Sequence, residues 1–415
     1  MLKGTNCPLG RFLKGKFQLQ CGIGAMARPG SNPGNSLLSK HQSGNHKYNS
    51  KETLNIVIND FLLDALDNKR LSALILLDLS KAFDSISHSI LLQKLSLVAA
   101  DKTTKWFESY LTDRTEVVRI GTSTSTPLPI THGRPQGVIL SPLLFCIYIS
   151  DLPLAPQVCN LESYVDDSKI FLSFPVKDAE SVVRVLEEDL RLVAAWCCKN
   201  QLLINPEKTK FLMVGTQQLL RRLLNEISIS FLGKEITPVS SAKDLGIILD
   251  NNLTYDQHIH QLTSSCMTKL CQINREKNSF ERDALSTIIS ALVLSKLFYC
   301  CTVWSNTTAT NIKKLQAVQN FACRIITKTK KFEHITPPLR EIKLLLLNDL
   351  HYRDTVMTFR YMKGLAPTYL CESLRSHKSI HYHNTRNRES LDIPPSKTKS
   401  GQRRFLHRAV YIWKN

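Results

Sequence analysis

Three acidic residues at the ends of apolar stretches carry the side chains that divalent metal ions prefer. Asp78 closes the apolar run 74–77, and Asp166 and Asp167 interrupt the alternating stretch 161–174. Magnesium is usually held by a few carboxylates together with phosphate oxygens and water. Two such ions can activate an attacking hydroxyl and stabilise a departing pyrophosphate. The three carboxylates therefore make nucleotidyl transfer a candidate chemistry.

The aspartate pair has a simpler explanation when it is taken alone. Aspartate tolerates turn geometry, so Asp166-Asp167 is also an ordinary turn signal between two strands. Short motifs of this kind often match by chance. The carboxylates by themselves leave both interpretations open.

The segments around the acids predict a sheet that brings them together. Residues 72–78 indicate a buried strand, and 161–174 indicates a hairpin with Asp166 and Asp167 at its tip. Asp78, at the end of a neighbouring strand, would complete the set. Further strands and hairpins are predicted at 116–131, 210–214, 226–237 and 244–249.

Helical periodicity flanks and follows the predicted strands. An amphipathic helix begins after Asn49 or Ser50, with Glu52 in its first turn. From about residue 256 the pattern is almost entirely helical and predicts four helices up to about residue 364. Other helices are predicted at 87–98, 102–112, 140–150 and 182–197.

The chain is strongly basic. Its 415 residues include 54 Lys and Arg against 35 acids, for a net charge of +19 and a pI near 9.4. This excess favours a polyanionic partner, either nucleic acid or an anionic membrane surface, over a merely solvated basic surface. The length allows two or three domains with a substantial core.

The cysteines and the apolar runs point to an intracellular protein. The twelve cysteines form no C-x-x-C pair, which gives no support to a zinc knuckle or a thioredoxin-type motif. No apolar run is long enough to cross a bilayer, and the N-terminus lacks a secretory signal. We therefore predict a location in the cytoplasm and nucleus, without membrane contact.

Both ends of the chain are basic. Residues 1–51 contain no acid, as in some transit peptides, but the Pro- and Gly-rich segment 29–34 breaks any helix and favours a disordered leader. Residues 375–415 hold ten Lys or Arg and two acids, which predicts a poorly ordered tail.

Five blocks around these residues resemble the motifs of reverse transcriptases, in the order of that family. They are LLDLSKAFD at 76–84 (motif A), HGRPQGVILSPLLF at 132–145 (motif B), YVDD at 164–167 (motif C), NPEKTK at 205–210 (motif D), and FLG at 231–233 or DLG at 244–246 (primer grip). The resemblance is strongest to the non-LTR, LINE-type retrotransposon enzymes, in particular their jockey-like branch. It covers roughly residues 40–415.

The resemblance implies an α+β fold, a right-hand polymerase palm in which helices flank an antiparallel sheet, with partial fingers and an α-helical thumb. The implied activity is RNA-directed DNA polymerisation by two-metal nucleotidyl transfer onto a primer 3′-hydroxyl. The implied domains are an unstructured basic leader at 1–39, a fingers remnant and palm at 40–250, a helical thumb or C-terminal domain at 251–370 and a basic tail at 371–415.

The family's site residues carry over onto the matching positions. Asp78, Asp166 and Asp167 are expected to bind two Mg²⁺ ions, with Mn²⁺ as a substitute and the Leu79 carbonyl as a further ligand. Phe83 matches the bulky residue that excludes a ribonucleotide 2′-hydroxyl. From the residue alone, an ordinary core aromatic is the preferred interpretation of Phe83.

Motif B supplies the expected contacts to the template and the incoming nucleotide. Gln136 and Gly137 match the contacting loop together with Pro135, and glycine lets the backbone approach closely. The alternative is a turn followed by a helix start at Pro142. Arg134 is a weaker candidate for phosphate contact.

Other residues are expected near the nucleotide. Lys208 or Lys210 matches the motif D lysine, which protonates or neutralises pyrophosphate, although either is equally a solvated surface lysine. Tyr164 of motif C is expected beside the nucleotide or template. Lys81 is a further weak candidate for phosphate contact.

The sequence also departs from the family pattern. Val165 stands where the family usually has alanine, Ile139 replaces a small residue, and no N-Y-R-P-I-S-like fingers stretch precedes residue 40. We therefore expect a chain truncated at both ends.

The expected partners are an RNA template, a DNA primer and deoxynucleoside triphosphates. One alternative is a decayed copy that binds RNA or DNA without catalysis. Another, within polymerases, is a group II intron maturase or a telomerase subunit.

Overall fold

A five-stranded sheet lies at the centre of the fold. The structure, a computed structural model, describes residues 38–133, 140–223, 227–342, 351–375 and 390–414. The strands of the sheet are β1 (Leu71–Leu77), β2 (Asn160–Tyr164), β3 (Asp167–Phe174), β4 (Lys210–Val214) and β5 (Pro238–Val239). Their order is β5-β4-β1-β3-β2, and all neighbours are antiparallel except β4 and β5.

Both faces of β1 are covered, which explains its unbroken apolar run. Ala73 and Ile75 pack in one core with Phe211 of β4, and Leu74 packs in a second core with Phe171 of β3. Successive side chains of a strand point to opposite faces, so a strand buried on both sides needs apolar residues at nearly every position. The sheet is therefore shared by two hydrophobic cores.

Helices cover both faces of the sheet. They are α1 (Lys51–Asp67), α2 (His88–Val98), α3 (Asp101–Leu111), α4 (Ser141–Tyr148), α5 (Ala179–Lys199), α6 (Asp256–Arg275), α7 (Arg282–Ile289), α8 (Ala309–Thr327), α9 (His351–Met362) and α10 (Phe405–Lys414). Helices α2 to α5 pack in the first core, whereas α1 and the helices from α6 onward pack in the second.

Short elements connect the main ones. Short α-helices lie at Gln217–Leu223, Ser295–Leu297, Cys301–Trp304, Thr336–Glu341, Thr368–Cys371 and Lys399–Gln402, with a π-helical turn at Ser290–Leu294 and 3₁₀ turns at Leu152–Leu154, Val176–Asp178 and Lys277–Ser279. Two-stranded pairs join Leu79–Ser80 to Leu203–Ile204, Thr115–Glu116 to Leu128–Pro129, Arg119–Ile120 to Ser123–Thr124, Ile229–Phe231 to Lys234–Ile236, and Ser241–Asp244 to Ile247–Asp250.

The predicted α+β class, with an antiparallel sheet between helices and a helical C-terminal region, is confirmed. The cap of α1 is Ser50, one of the two residues considered. Its Oγ accepts a hydrogen bond from the Thr53 N–H at 3.1 Å, and Thr53 Oγ1 accepts one from the Ser50 N–H at 2.9 Å. This reciprocal pair is a capping box. The proposed domain boundaries stay predictions.

The helical region is more divided than the four helices predicted. Cys300 has a φ of 48°, a left-handed conformation that ends one helical segment before Cys301–Trp304 begins. Periodicity does not reveal such breaks, because the apolar residues keep their helical spacing on both sides.

The prediction of a poorly ordered tail is wrong for residues 390–414, which fold against α1. Asp60 accepts a hydrogen bond from the Phe405 N–H at 2.6 Å, at the start of α10. Arg404 lies 2.5 Å from Asp64. Asp64 stands 340 positions before Arg404 in the chain, so the local charge excess of the tail gave no sign of this contact.

We expect Asp60→Asn to loosen α10, because an amide nitrogen would face backbone N–H donors inside the core. A buried donor left unsatisfied destabilises by about 1–3 kcal/mol. Urea denaturation should show this loss, and hydrogen exchange should quicken within α10. Asp64→Asn is the control, since its half-exposed pair is worth less than about 1 kcal/mol. Equal losses in both variants would contradict a docking role for Asp60.

Candidate active site

The register of the sheet brings two of the predicted acids to the same end. In the pairing of β1 with β3, the last pair is Leu77 with Ser168. Asp78 directly follows Leu77, and Asp167, the first residue of β3, directly precedes Ser168. Both carboxylates therefore lie at one end of the sheet.

Asp166 lies in the tight turn between β2 and β3. Tyr164 and Asp167 are the last paired residues of this hairpin, which leaves only Val165 and Asp166 in the turn. Val165 has a φ of 58°. This left-handed conformation is unusual for a β-branched residue and is strained by about 1–3 kcal/mol. The structure thus has the acid-bearing hairpin tip that the sequence predicts.

Lys208, one of the two candidate lysines of motif D, lies beside Asp78. Its Nζ lies 3.7 Å from Asp78 Oδ2, and both side chains are exposed to solvent. The Asn205 N–H donates to the Asp78 carbonyl oxygen at 2.8 Å, which ties the two segments together. Lys210 instead lies in β4, opposite Leu76. The two lysines therefore take different positions, Lys208 beside Asp78 and Lys210 within the sheet.

The electrostatics of Asp167 show that this carboxyl and that of Asp166 are close enough to interact. Burial raises the pKa of the Asp167 carboxyl, and the negative charge of Asp166 raises this pKa further. Asp244 acts in the same direction, while Lys169 and Lys51 oppose it. A cation bound near these carboxylates would relieve their mutual repulsion.

A buried ion pair lies in the second core, on the face of the sheet to which Asp167 points. Lys169 Nζ is 2.5 Å from Asp244 Oδ2, and the two side chains are only 1% and 4% exposed. Lys169 stands two residues after Asp167 in β3, so its side chain points to the same face. Asp244 belongs to the Ser241–Asp244 strand. The pair thus connects the acid-bearing strand to the 241–250 hairpin.

The neighbouring predicted residues take different positions. Phe83 is half-buried, and its ring packs edge-on against Phe145 with 4.8 Å between centroids. Leu79 has a buried side chain. Tyr164 is half-buried, with Lys51 Nζ 5.6 Å from the centre of its ring.

The predicted contacts in motif B, from Arg134, Pro135, Gln136 and Gly137, lie outside the described residues. The residue before them touches motif A. The Gly133 N–H donates to the Ile86 carbonyl at 2.7 Å, and a Cβ on Gly133 would lie 3.1 Å from the Asp84 carbonyl oxygen. Motif B therefore begins beside the loop that follows Asp78.

Two features of the site escaped the sequence analysis. Lys169 and Asp244 lie 75 positions apart, and no local pattern joins them. Gln42 likewise hydrogen-bonds to Val165 of the turn across 123 positions of the chain.

The three aspartates have the side chains expected for a divalent ion that is also bound by phosphate oxygens and water. Among the described residues, no three His, Cys, Asp or Glu side chains form a group that could hold a metal ion. Asp78, Asp166 and Asp167 nevertheless bring carboxylate oxygens to one end of the sheet. Magnesium is commonly bound by one or two carboxylates plus substrate phosphates and water. The residues present fit such a site.

Comparison with known proteins decides the family. Residues 31–249 match the family model described as "Reverse transcriptase (RNA-dependent DNA polymerase)". The chain belongs to this family. The resemblance inferred from the five sequence blocks is thereby confirmed.

Curated relatives of this reverse transcriptase chain come from mobile elements of Drosophila melanogaster. The probable RNA-directed DNA polymerase from transposon BS is 28% identical over 77% of the chain and 36% of that protein. The RNA-directed DNA polymerase from mobile element jockey is 25% identical over 73% of the chain and 33% of that protein. The chain thus spans about a third of the length of these relatives.

Solved structures of telomerase are also similar to the reverse transcriptase chain. Apo telomerase from Candida tropicalis aligns with a TM-score of 0.38 and 12% identity, covering 79% of this chain and 56% of that one. Telomerase from Candida albicans in complex with a fragment of telomeric RNA aligns with a TM-score of 0.37 and 15% identity, covering 74% and 56%.

No helix within the described part of the chain has the length and apolar character needed to span a membrane.

We expect Asp244→Asn to destabilise the reverse transcriptase fold by about 3–5 kcal/mol, because it leaves the buried Lys169 ammonium without its counter-charge. The double variant Lys169→Met, Asp244→Leu should recover most of that loss, since both charges are then gone. Chemical denaturation of the three proteins measures this coupling. Additive losses in the double variant would show that the two side chains do not act as a pair.

Proposed function

We propose that the chain is an RNA-directed DNA polymerase that transfers a nucleotide onto a primer 3′-hydroxyl, as part of a non-LTR retrotransposon enzyme. The observation that carries this proposal is the register of β1 with β3, which brings Asp78 and Asp167 to one end of the sheet, with Asp166 in the adjoining turn and Lys208 Nζ 3.7 Å from Asp78. Membership of the reverse transcriptase family supports it independently.

Asp78, Asp166 and Asp167 are the proposed ligands of two Mg²⁺ ions, which Mn²⁺ can replace, with the Leu79 carbonyl as a further donor. When bound, the ions supply activation of the primer hydroxyl and stabilisation of charge on the leaving pyrophosphate. The acids serve best in their ionised form, which accepts metal without first losing a proton.

Lys208 is proposed to neutralise or protonate the departing pyrophosphate. A lysine ammonium is a compact charge with three donors, suited to phosphate oxygens. Its 3.7 Å separation from Asp78 supports Lys208 over Lys210 for this role.

Other residues are proposed to bind the nucleotide and the template. Phe83 would exclude a 2′-hydroxyl through the exposed part of its ring, which Phe145 holds in place. Gln136 and Gly137, with Pro135 and Arg134, are proposed from their match to motif B.

Tyr164 is proposed to contact the nucleotide or template beside the acids. The proposed partners are an RNA template, a DNA primer and deoxynucleoside triphosphates. The net charge of +19 supports a polyanionic partner. An intracellular site of action remains part of the proposal.

A second candidate function is binding of RNA or DNA without catalysis. It is favoured by the lack, among the described residues, of three side chains already grouped for a metal ion. Binding of an RNA–DNA hybrid without any primer extension would support this second candidate.

We expect Asp166→Asn to reduce primer extension on an RNA template by at least about a thousand-fold, since an amide is a poor magnesium ligand and the ions contribute several kcal/mol. Extension with labelled primer and Mg²⁺ measures this. Glu188→Gln, an exposed surface change on α5, is the control and should keep the wild-type rate. Undiminished extension by Asp166→Asn would remove this residue from the site.

We expect Phe83→Val to weaken discrimination against ribonucleotides by about tenfold or more, because a smaller side chain leaves room for the 2′-hydroxyl. The ratio of kcat/KM for the deoxyribonucleotide to that for the matching ribonucleotide measures the effect. Equal ratios in wild type and variant would assign Phe83 to the core alone.

A further inference from the structure

A buried glutamine, Gln42, forms hydrogen bonds with the turn that carries Asp166. Gln42 is 1% exposed. Its side-chain Oε1 accepts hydrogen bonds from the Val165 N–H at 2.9 Å and the Gly44 N–H at 2.8 Å, and its Nε2 donates to the Val165 carbonyl at 3.2 Å. Both backbone polar groups of Val165 are therefore satisfied by one side chain. Only an amide of this length, with an acceptor and a donor, can do so at once.

Val165, the residue to which Gln42 binds, has a strained backbone conformation. Val165 has a φ of 58°, and a valine side chain disfavours this left-handed region. Such a conformation persists only when its surroundings enforce it. Asp166 follows Val165 directly, and Asp167 begins β3. The direction of both carboxylates therefore depends on the conformation of Val165.

The segment around Gln42 is itself anchored to the sheet. The Ser43 N–H donates to the Ser163 carbonyl at 2.8 Å, and the Ser163 N–H donates to the His41 carbonyl at 2.9 Å. These bonds form a parallel bridge along the outer edge of β2.

Gly44 allows the segment to lie against the turn. A Cβ on Gly44 would lie 2.6 Å from Val165 Cγ2, so the Val165 side chain already fills the space that a side chain at residue 44 would need. The glutamine is thus held close to the turn from both sides.

We propose that Gln42 is a positioning residue for the metal-binding carboxylates Asp166 and Asp167, acting by holding Val165 in its left-handed conformation. The role in metal binding rests on the proposed polymerase function. The hydrogen bonds between Gln42 and Val165, which we call the clamp, exist independently of that function. Gln42 touches neither substrate nor metal ligand oxygens in this account.

The test compares full-length wild type with Gln42→Leu, Val165→Gly and the double variant. Hydrogen exchange at the Val165 amide measures whether its hydrogen bond to Gln42 is intact. Electron paramagnetic resonance measures the affinity of the carboxylates for Mn²⁺. Thermal unfolding measures whether the variant is still folded. Gln319→Leu is the matched control, since Gln319 is an equally buried glutamine in α8.

Gln42→Leu should expose the Val165 amide to exchange and weaken Mn²⁺ binding by about 10–100-fold, the range seen when a residue that orients metal ligands is lost. Glycine adopts the left-handed region without strain. Val165→Gly should therefore restore most of the Mn²⁺ affinity in the Gln42→Leu background. Gln319→Leu should leave both readouts unchanged.

Wild-type Mn²⁺ affinity and wild-type protection of Val165 in Gln42→Leu would overturn the proposal, as would a double variant that binds Mn²⁺ no better than Gln42→Leu. If Gln42→Leu does not fold, Gln42→Asn gives the same readouts, because its shorter amide cannot reach both groups of Val165. Failure of the polymerase proposal is a separate outcome, namely Mn²⁺ binding that Asp166→Asn leaves unchanged. In that case the exchange of the Val165 amide still decides whether the clamp exists.

Discussion

The antiparallel register between β1 and β3 is the constraint on which the candidate site depends. A slip of one residue would turn every side chain of a strand to the opposite face and separate Asp78 from Asp167. Hydrophobic burial alone does not fix this register, because β1 is covered on both faces. Lys169 supplies the missing specificity. In the wrong register its ammonium would lie in the first core, away from Asp244, as an unpaired buried charge.

The two ion pairs at the site differ in their exposure to solvent, and this difference suits them to different roles. At the end of the sheet, Asp78 and Lys208 are exposed, so their 3.7 Å contact can open for a ligand at little expense. Within the core, the Lys169–Asp244 pair is closed to water and holds the sheet against the 241–250 hairpin. One pair is therefore suited to exchange partners and the other to fix geometry.

Local sequence patterns predicted the parts of the fold that depend on neighbouring residues. The alternation of apolar and polar residues, together with the aspartate pair, predicted the β2–β3 hairpin. The capping residue Ser50 predicted the start of α1. Contacts between distant segments could not be predicted in this way. Arg404 of the tail pairs with Asp64, 340 positions away, and Gln42 reaches a turn 123 positions later. The different positions of Lys208, beside Asp78, and Lys210, the first residue of β4, also depend on the fold and not on the local sequence.

The most direct test of the account is whether Asp78, Asp166 and Asp167 bind one group of divalent ions. Fe²⁺ can replace Mg²⁺ and, with ascorbate and peroxide, generate hydroxyl radicals that cut the chain beside the bound metal. We expect cuts near residues 78 and 166–167 that excess Mg²⁺ suppresses and that Asp167→Asn abolishes. Cuts confined to other segments, or an unchanged pattern in Asp167→Asn, would contradict it.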